Sequence, residues 1–195
     1  MISKDKKIKD QKLIICFTGM PGAGKTTAIE IVKDLGYDTV NMGQGVREET
    51  IRRDLPLTDK NVGSVMLDMR RKNGMTAIAQ LTLPKILSSK KKVVGVDGVR
   101  NIEEIEVFKD AGEVKILAIH GSPEVRYNYL RGRRRKDSPE SRKPFEKRDE
   151  REISVGILRI ISLADEVISN NGITIEQLRE KTRKVLINWV NQLEH

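Results

Sequence analysis

The chain has 195 residues, 33% of them charged and 4% aromatic, with a net charge of +9; that length gives one compact core and is short for two. No apolar run approaches the roughly 18 residues needed to cross a bilayer, and the Lys-rich start shows no apolar stretch before a small-residue cleavage site, so the expected setting is the cytoplasm. Cys16 is the single cysteine, which excludes an internal disulfide and a multi-cysteine metal site, and His120 and His195 are too far apart to form a metal cluster.

Residues 1–11 read as a basic tail. Residues 13–18 form a mostly apolar run with β-branched and aromatic members and read as a buried strand, with Cys16 as a core thiol. Beyond the glycines, Ala28, Ile31, Val32 and Leu35 recur at helical spacing and Gly36 follows at a C-cap position. A second short strand is expected over 37–42, then helical stretches near 44–53, 60–72 and 74–88, punctuated by Pro56 and Gly74. Residues 92–97 give a third strand, Ile102, Ile105 and Phe108 the inner face of a helix, and 114–120 a fourth strand. Two helices with an irregular basic middle follow, the second carrying Ile153, Ile157, Ile160 and Ile161. Residues 166–169 give a fifth strand, and Ile175, Leu178, Val185, Leu186 and Trp189 a closing helix. Strands alternating with helices imply a three-layer α/β/α fold around a five-stranded parallel sheet, with ligands at the carboxyl ends of the strands.

Gly19-Met20-Pro21-Gly22-Ala23-Gly24-Lys25-Thr26 matches G-x-x-x-x-G-K-[ST] in full, between a strand and a helix. The glycines let the backbone turn its N–H groups of residues such as Met20 and Ala23 inward on a β-phosphate, at a helix N-terminus. Lys25 supplies a point charge to the β- and γ-phosphates, Thr26 a hydroxyl to Mg²⁺, and Thr27 a hydrogen bond to the α-phosphate. The pattern therefore predicts a P-loop NTPase that binds a nucleoside triphosphate with Mg²⁺.

A second set closes the third strand. Asp97 is placed either to hold Mg²⁺ through water or to cap the next helix. Gly98 permits close backbone approach, and Arg100 has the bidentate geometry for a phosphate on an acceptor, or is a surface arginine. The charge is segregated: residues 1–12 hold five lysines against two aspartates, and 126–151 hold eleven basic residues against five acidic ones. The second segment reads as a solvated face, a nucleic-acid patch or a flap over phosphates.

The loop form G-M-P-G-x-G-K-T, the D-G-x-R after the third strand and the basic segment together resemble adenylate kinase and other nucleoside monophosphate kinases. From about residue 12 the chain is similar to an archaeal family of adenylate-kinase-related proteins, while Ala164-Asp165-Glu166-Val167-Ile168-Ser169-Asn170-Asn171-Gly172 is similar to dephospho-CoA kinase. The resemblance implies one kinase domain over 12–195, with an acceptor-binding insert at about 42–90 and a helical lid at about 126–151. It implies that Gly43 and Arg47 open the acceptor site, that Arg47 and Arg100 pair on the acceptor phosphate, and that Glu104 stands where a glutamine reads adenine. Gln44 replaces the family's acidic residue, and the D-G-x-R is one residue shorter than the family's form. Arg126 and Asn171 would then lie by the donor nucleotide, with Arg133, Arg135 and Arg148 near the transferred phosphoryl group. The expected activity is ATP- and Mg²⁺-dependent phosphoryl transfer to a small phosphate acceptor such as AMP or a related nucleotide. The alternatives are transfer to a hydroxyl, as in dephospho-CoA kinase, and a nucleotide-gated RNA- or DNA-binding ATPase.

Overall fold

The computed structural model describes residues 12–132 and 141–193. Five strands, β1 (Lys12–Thr18), β2 (Asp38–Asn41), β3 (Val93–Asp97), β4 (Gly112–His120) and β5 (Glu166–Ser169), form one sheet in the order β2-β3-β1-β4-β5. All pairings are parallel. β1 is central, and from Leu13 to Thr18 every residue is buried, as a strand covered on both faces requires.

Side-chain alternation along β1 divides the core in two. Leu13, Ile15 and Phe17 face α1 (Lys25–Asp34) and the closing helix α9 (Ile175–Leu193), packing with Ile31, Val32, Leu178, Leu186 and Trp189. Ile14 and Cys16 face the opposite layer. That layer comprises α2 (Met42–Arg52), α3 (Asp59–Asn73), α4 (Ala77–Ser88), α5 (Ile102–Lys109) and α8 (Ile157–Ser162). Burial pushes the Cys16 thiol far above its usual range, which leaves it unreactive.

Of the remaining helices, α6 (Pro123–Gly132) lies over the carboxyl ends of β1 and β4, and α7 (Arg142–Ser154) packs on α6 through Asp149 and reaches Arg100 beyond β3 through Glu152. The expected helix bearing Ile153 through Ile161 is two helices. Gly156 takes φ 101°, breaking the chain between α7 and α8, and Ile153 on the outer side of the break is 45% exposed. Ile175 likewise opens α9 in the exposed position, and the inner face begins at Leu178. No helix of the described residues is long and apolar enough to cross a membrane.

Candidate active site

The loop between β1 and α1 is shaped by its main chain. Gly19 takes φ 140°, and a Cβ there would come within 2.2 Å of the Ile119 carbonyl oxygen on β4, so no other residue fits without moving the central sheet. The Lys25 ammonium folds back over the loop, donating to Gly19 O (2.5 Å) and Met20 O (3.2 Å). Burial lowers its pKa from 10.5 to about 8, with Asp97 opposing part of that shift. A cation so incompletely neutralised suits an incoming polyphosphate.

Strand register delivers the second set. Phe17 pairs with Asp97 and Asn41 with Asp97, so the ends of β1, β2 and β3 meet beside the loop. Gly98 N–H donates to Phe17 O, and the Thr18 hydroxyl donates to Val99 O, tying D-G-x-R to the phosphate-loop strand. Asn41 Nδ2 donates to Asp97 Oδ2 at 2.9 Å. The cap of α5 is Asn101, whose side chain accepts from Glu104 N–H, so Asp97 does not serve as that cap.

Gly19, Gly22, Gly24, Lys25, Thr26, Asp97, Gly98, Arg47, Arg100 and Arg148 line one cavity. Four cations, Lys25, Arg47, Arg100 and Arg148, there face two carboxylates, Asp97 and Glu152. A second chamber runs between α2 and α3, walled by Val46, Val62 and Met66, and shares Gly43, Arg47, Arg100, Arg148 and Glu152 with the first. The Thr26 hydroxyl and the Asp97 carboxylate are hard oxygen donors on the wall of the first cavity, a set that fits Mg²⁺, which keeps several waters and takes few protein ligands. Among the described residues no cluster of three or more His, Cys, Asp or Glu could hold a metal by itself.

Several predicted site residues lie off these walls. Glu104 is fully buried, accepts from Arg70 Nη2 at 2.5 Å and from Arg100 N–H at 2.8 Å, and lines neither chamber. Arg126 is 3% exposed; it donates twice to Asp149, to Pro21 O and to Gly121 O, and lies 5.0 Å over the Phe145 ring. Helix α6 is thereby joined to the phosphate loop itself. Asn171 is exposed, its Oδ1 accepting from Ser122 N–H, whereas its neighbour Asn170 donates to Ala23 O and steadies the loop. Ala23 is buried, and Met20 and Thr27 half-buried, in the loop and the first turn of α1. Arg133 and Arg135 lie outside the described residues, as does His195. Sequence reasoning missed Asn41, Asp59, Asn170 and Glu152. Asn41 and Asn170 had a signal, since one ends and the other directly follows a parallel strand at the ligand-bearing edge; Asp59 and Glu152 gain their place only through folding.

The chain matches the protein family described as "AAA domain" over residues 18–146. It is 41% identical over 164 residues to a UPF0200 protein of Thermococcus onnurineus, covering 82% of this chain and 89% of that one. It is 40% identical over 185 residues to a UPF0200/UPF0201 protein of Archaeoglobus fulgidus, covering 93% of this chain but 57% of that longer relative. Among solved structures, a gluconokinase from Sinorhizobium meliloti superposes with a TM-score of 0.57 at 13% identity, covering 95% of this chain and 96% of that one. A shikimate kinase from Bacteroides thetaiotaomicron superposes with a TM-score of 0.55 at 16% identity, covering 89% and 98%. Those likenesses mark the architecture as the P-loop kinase fold, and the sequence matches show that the chain belongs to the UPF0200 family.

Proposed function

We propose that this chain transfers the γ-phosphoryl group of ATP to a small molecule that already bears a phosphate, with a nucleoside monophosphate as the acceptor. The observation that carries the reading is the shared wall: the phosphate loop and the Arg47 and Arg100 pair open onto one cavity, which continues into a chamber of mixed lining, with Val46, Val62 and Met66 beside Asp59 and Arg151. That chamber, about 370 Å³, falls within the range of small-molecule sites, roughly 300 to 1,000 Å³.

In this reading the loop amides and Lys25 hold the β- and γ-phosphates, and Arg47 and Arg100 hold the acceptor phosphate in line with them. An acceptor oxygen attacks the γ-phosphorus as the bond to the bridging oxygen breaks, and ADP leaves. Arg148 offers charge to the equatorial oxygens, where negative charge is spread in the transition state. A Mg²⁺ ion at Thr26 and Asp97 supplies neutralisation of the β- and γ-oxygens when bound. The insert over about 42–90 serves as the acceptor-binding part, and the segment over about 126–151 as a lid that keeps water from the γ-phosphate.

The carboxylates of the cleft support a phosphate acceptor over a hydroxyl one. Glu152 is paired with Arg100, Asp59 with Arg148 and Arg151, and Asp97 accepts from Asn41. Among the described carboxylates of the cleft, Glu152 and Asp59 are held by arginines and Asp97 stands at the proposed Mg²⁺ position, whereas a phosphate anion needs no general base. Nucleic-acid stacking finds little support either, because the Tyr127 and Phe145 rings are buried edge-to-face against each other at 5.4 Å.

The test is incubation with Mg-ATP and a panel of nucleoside monophosphates and dephospho-CoA, with products resolved by chromatography. Conversion of a monophosphate to its diphosphate is expected. Transfer to dephospho-CoA alone, or ATP hydrolysis with no transfer, overturns the reading.

A further inference from the structure

Arg100 sits where the two chambers join, and three oxygens fix it there. Its N–H donates to Glu104 Oε2, its Nη1 to Gly98 O, and its Nε to Glu152 Oε2 at 2.6 Å. Nη2 makes no hydrogen bond among the described residues, and the side chain keeps 24% exposure toward the cavities it lines.

Glu152 is brought to this point by α7. It follows Arg148 by four residues, so both project from one face of the helix, and its side chain is 5% exposed. Burial opposes its ionisation, yet Arg100, with Arg148 and Arg151 behind it, holds the carboxyl below its usual range. The chain turn at Gly156 then passes against Arg100 and Asn101, anchoring the end of α7 beside the arginine it serves.

Resting on the reading of Arg100 as a grip on the acceptor phosphate, we propose that Glu152 is a positioning residue. Its carboxylate takes the Nε–H of Arg100 and leaves Nη2 to the acceptor anion. Charge alone predicts the reverse. A carboxylate beside an anion site repels the anion, so neutralising it should tighten binding. Positioning predicts that losing the reach of the carboxylate weakens binding even when its charge remains.

Two near-isosteric variants separate these effects. Glu152→Asp keeps the charge but withdraws it by one methylene, while Glu152→Gln removes the charge and keeps an oxygen acceptor at the same reach. Inorganic phosphate is titrated into the full chain after the phosphate loop is filled with Mg-ADP, and the arginine Nε–H signals are followed by NMR. Loss of an aimed, charged hydrogen bond should weaken phosphate binding in Glu152→Asp by about tenfold. Glu152→Gln should bind phosphate as tightly as the parent protein or more tightly, and Mg-ADP affinity should be unchanged in both.

The proposal is overturned if Glu152→Asp binds phosphate normally, if Glu152→Gln weakens it as much, or if Mg-ADP affinity falls in parallel, which marks a merely structural role. Should the parent protein fail to bind Mg-ADP, the nucleotide reading of the site falls. Should Mg-ADP bind and phosphate leave the Arg100 signal unmoved, the acceptor role of Arg100 falls and the role of Glu152 with it.

Discussion

The phosphate loop holds its shape by main-chain geometry within eight residues, with Gly19, Gly22 and Gly24 at φ 140°, 82° and 108°. The proposed acceptor side is held by side-chain pairs between residues 34, 52 and 92 positions apart: Arg70 with Glu104, Arg100 with Glu152, and Arg151 with Asp59. The first is a fixed cradle of amides whose hydrogen-bonding groups cannot be titrated away. The second is a set of arginines already neutralised in part by carboxylates, which in the proposed function an acceptor anion would join or displace. Substitutions should therefore divide cleanly between the two regions, and the sharpest division is expected at Lys25. Lys25→Ala should lower turnover by a factor on the order of 10³ or more while far-ultraviolet circular dichroism stays unchanged, because one preorganised cation on the transferring group is removed. Retained turnover with intact structure would remove the loop from the chemistry and break the contrast at its root.

Glu104 probes the other side. Truncating one member of a buried pair leaves a bare charge, which costs about 3 to 5 kcal/mol. Here the remaining charge would be Arg70, 4% exposed, whose Nε and Nη1 already have no hydrogen-bond partner among the described residues. Glu104→Ala should therefore lower the midpoint of thermal unfolding by about 10 °C, with the ranking of acceptors preserved. An unaltered midpoint with a changed acceptor preference would instead make Glu104 a reader of substrate.

These two residues also show what was legible in the sequence. Lys25 was legible because its role is local: the glycines, the lysine and the threonine are neighbours in the chain, and the apolar runs on either side announce strand and helix. The sheet was legible for a similar reason, since each β-α step repeats a short pattern. Glu104 was not, because whether it faces a ligand or an arginine depends on how α3 packs across α5, and Arg70 carries no mark in the sequence to separate it from the solvated Arg71 beside it. Arg126 is a similar case. Its place in the basic segment suggests a phosphate-facing flap, while folding buries it between Asp149 and Pro21. The break at Gly156 was hidden by the apolar spacing of Ile153, Ile157 and Ile160, which runs unbroken through the glycine.

A middle-sized effect is expected from Arg47, which lines both chambers from α2. Arg47→Ala should raise the acceptor KM by roughly 100-fold through loss of a charge-assisted contact, with the KM for ATP within about twofold. Equal rises in both constants would erase the boundary between the two regions.

The smallest effect tests the loop by its protons. The Lys25 ammonium has its pKa lowered to about 8 by burial, whereas in the unfolded chain it titrates near its ordinary value of 10.5. Between those values the unfolded state binds more protons, so the contribution of Lys25 to stability rises with pH across that window; below pH 8 the burial of its charge is fully unfavourable. A bound polyphosphate supplies the missing counter-charge and returns the pKa toward or above its ordinary value. Mg-ADP binding at pH 8.5 should therefore take up roughly 0.7 of a proton at this site, and at pH 6.5 Lys25 should contribute almost none. Calorimetric titration in buffers of different ionisation enthalpy measures that uptake directly. If uptake at pH 8.5 is absent although Mg-ADP binds, the ammonium is not desolvated in the free loop, and the cradle owes less to a poised cation than its geometry implies.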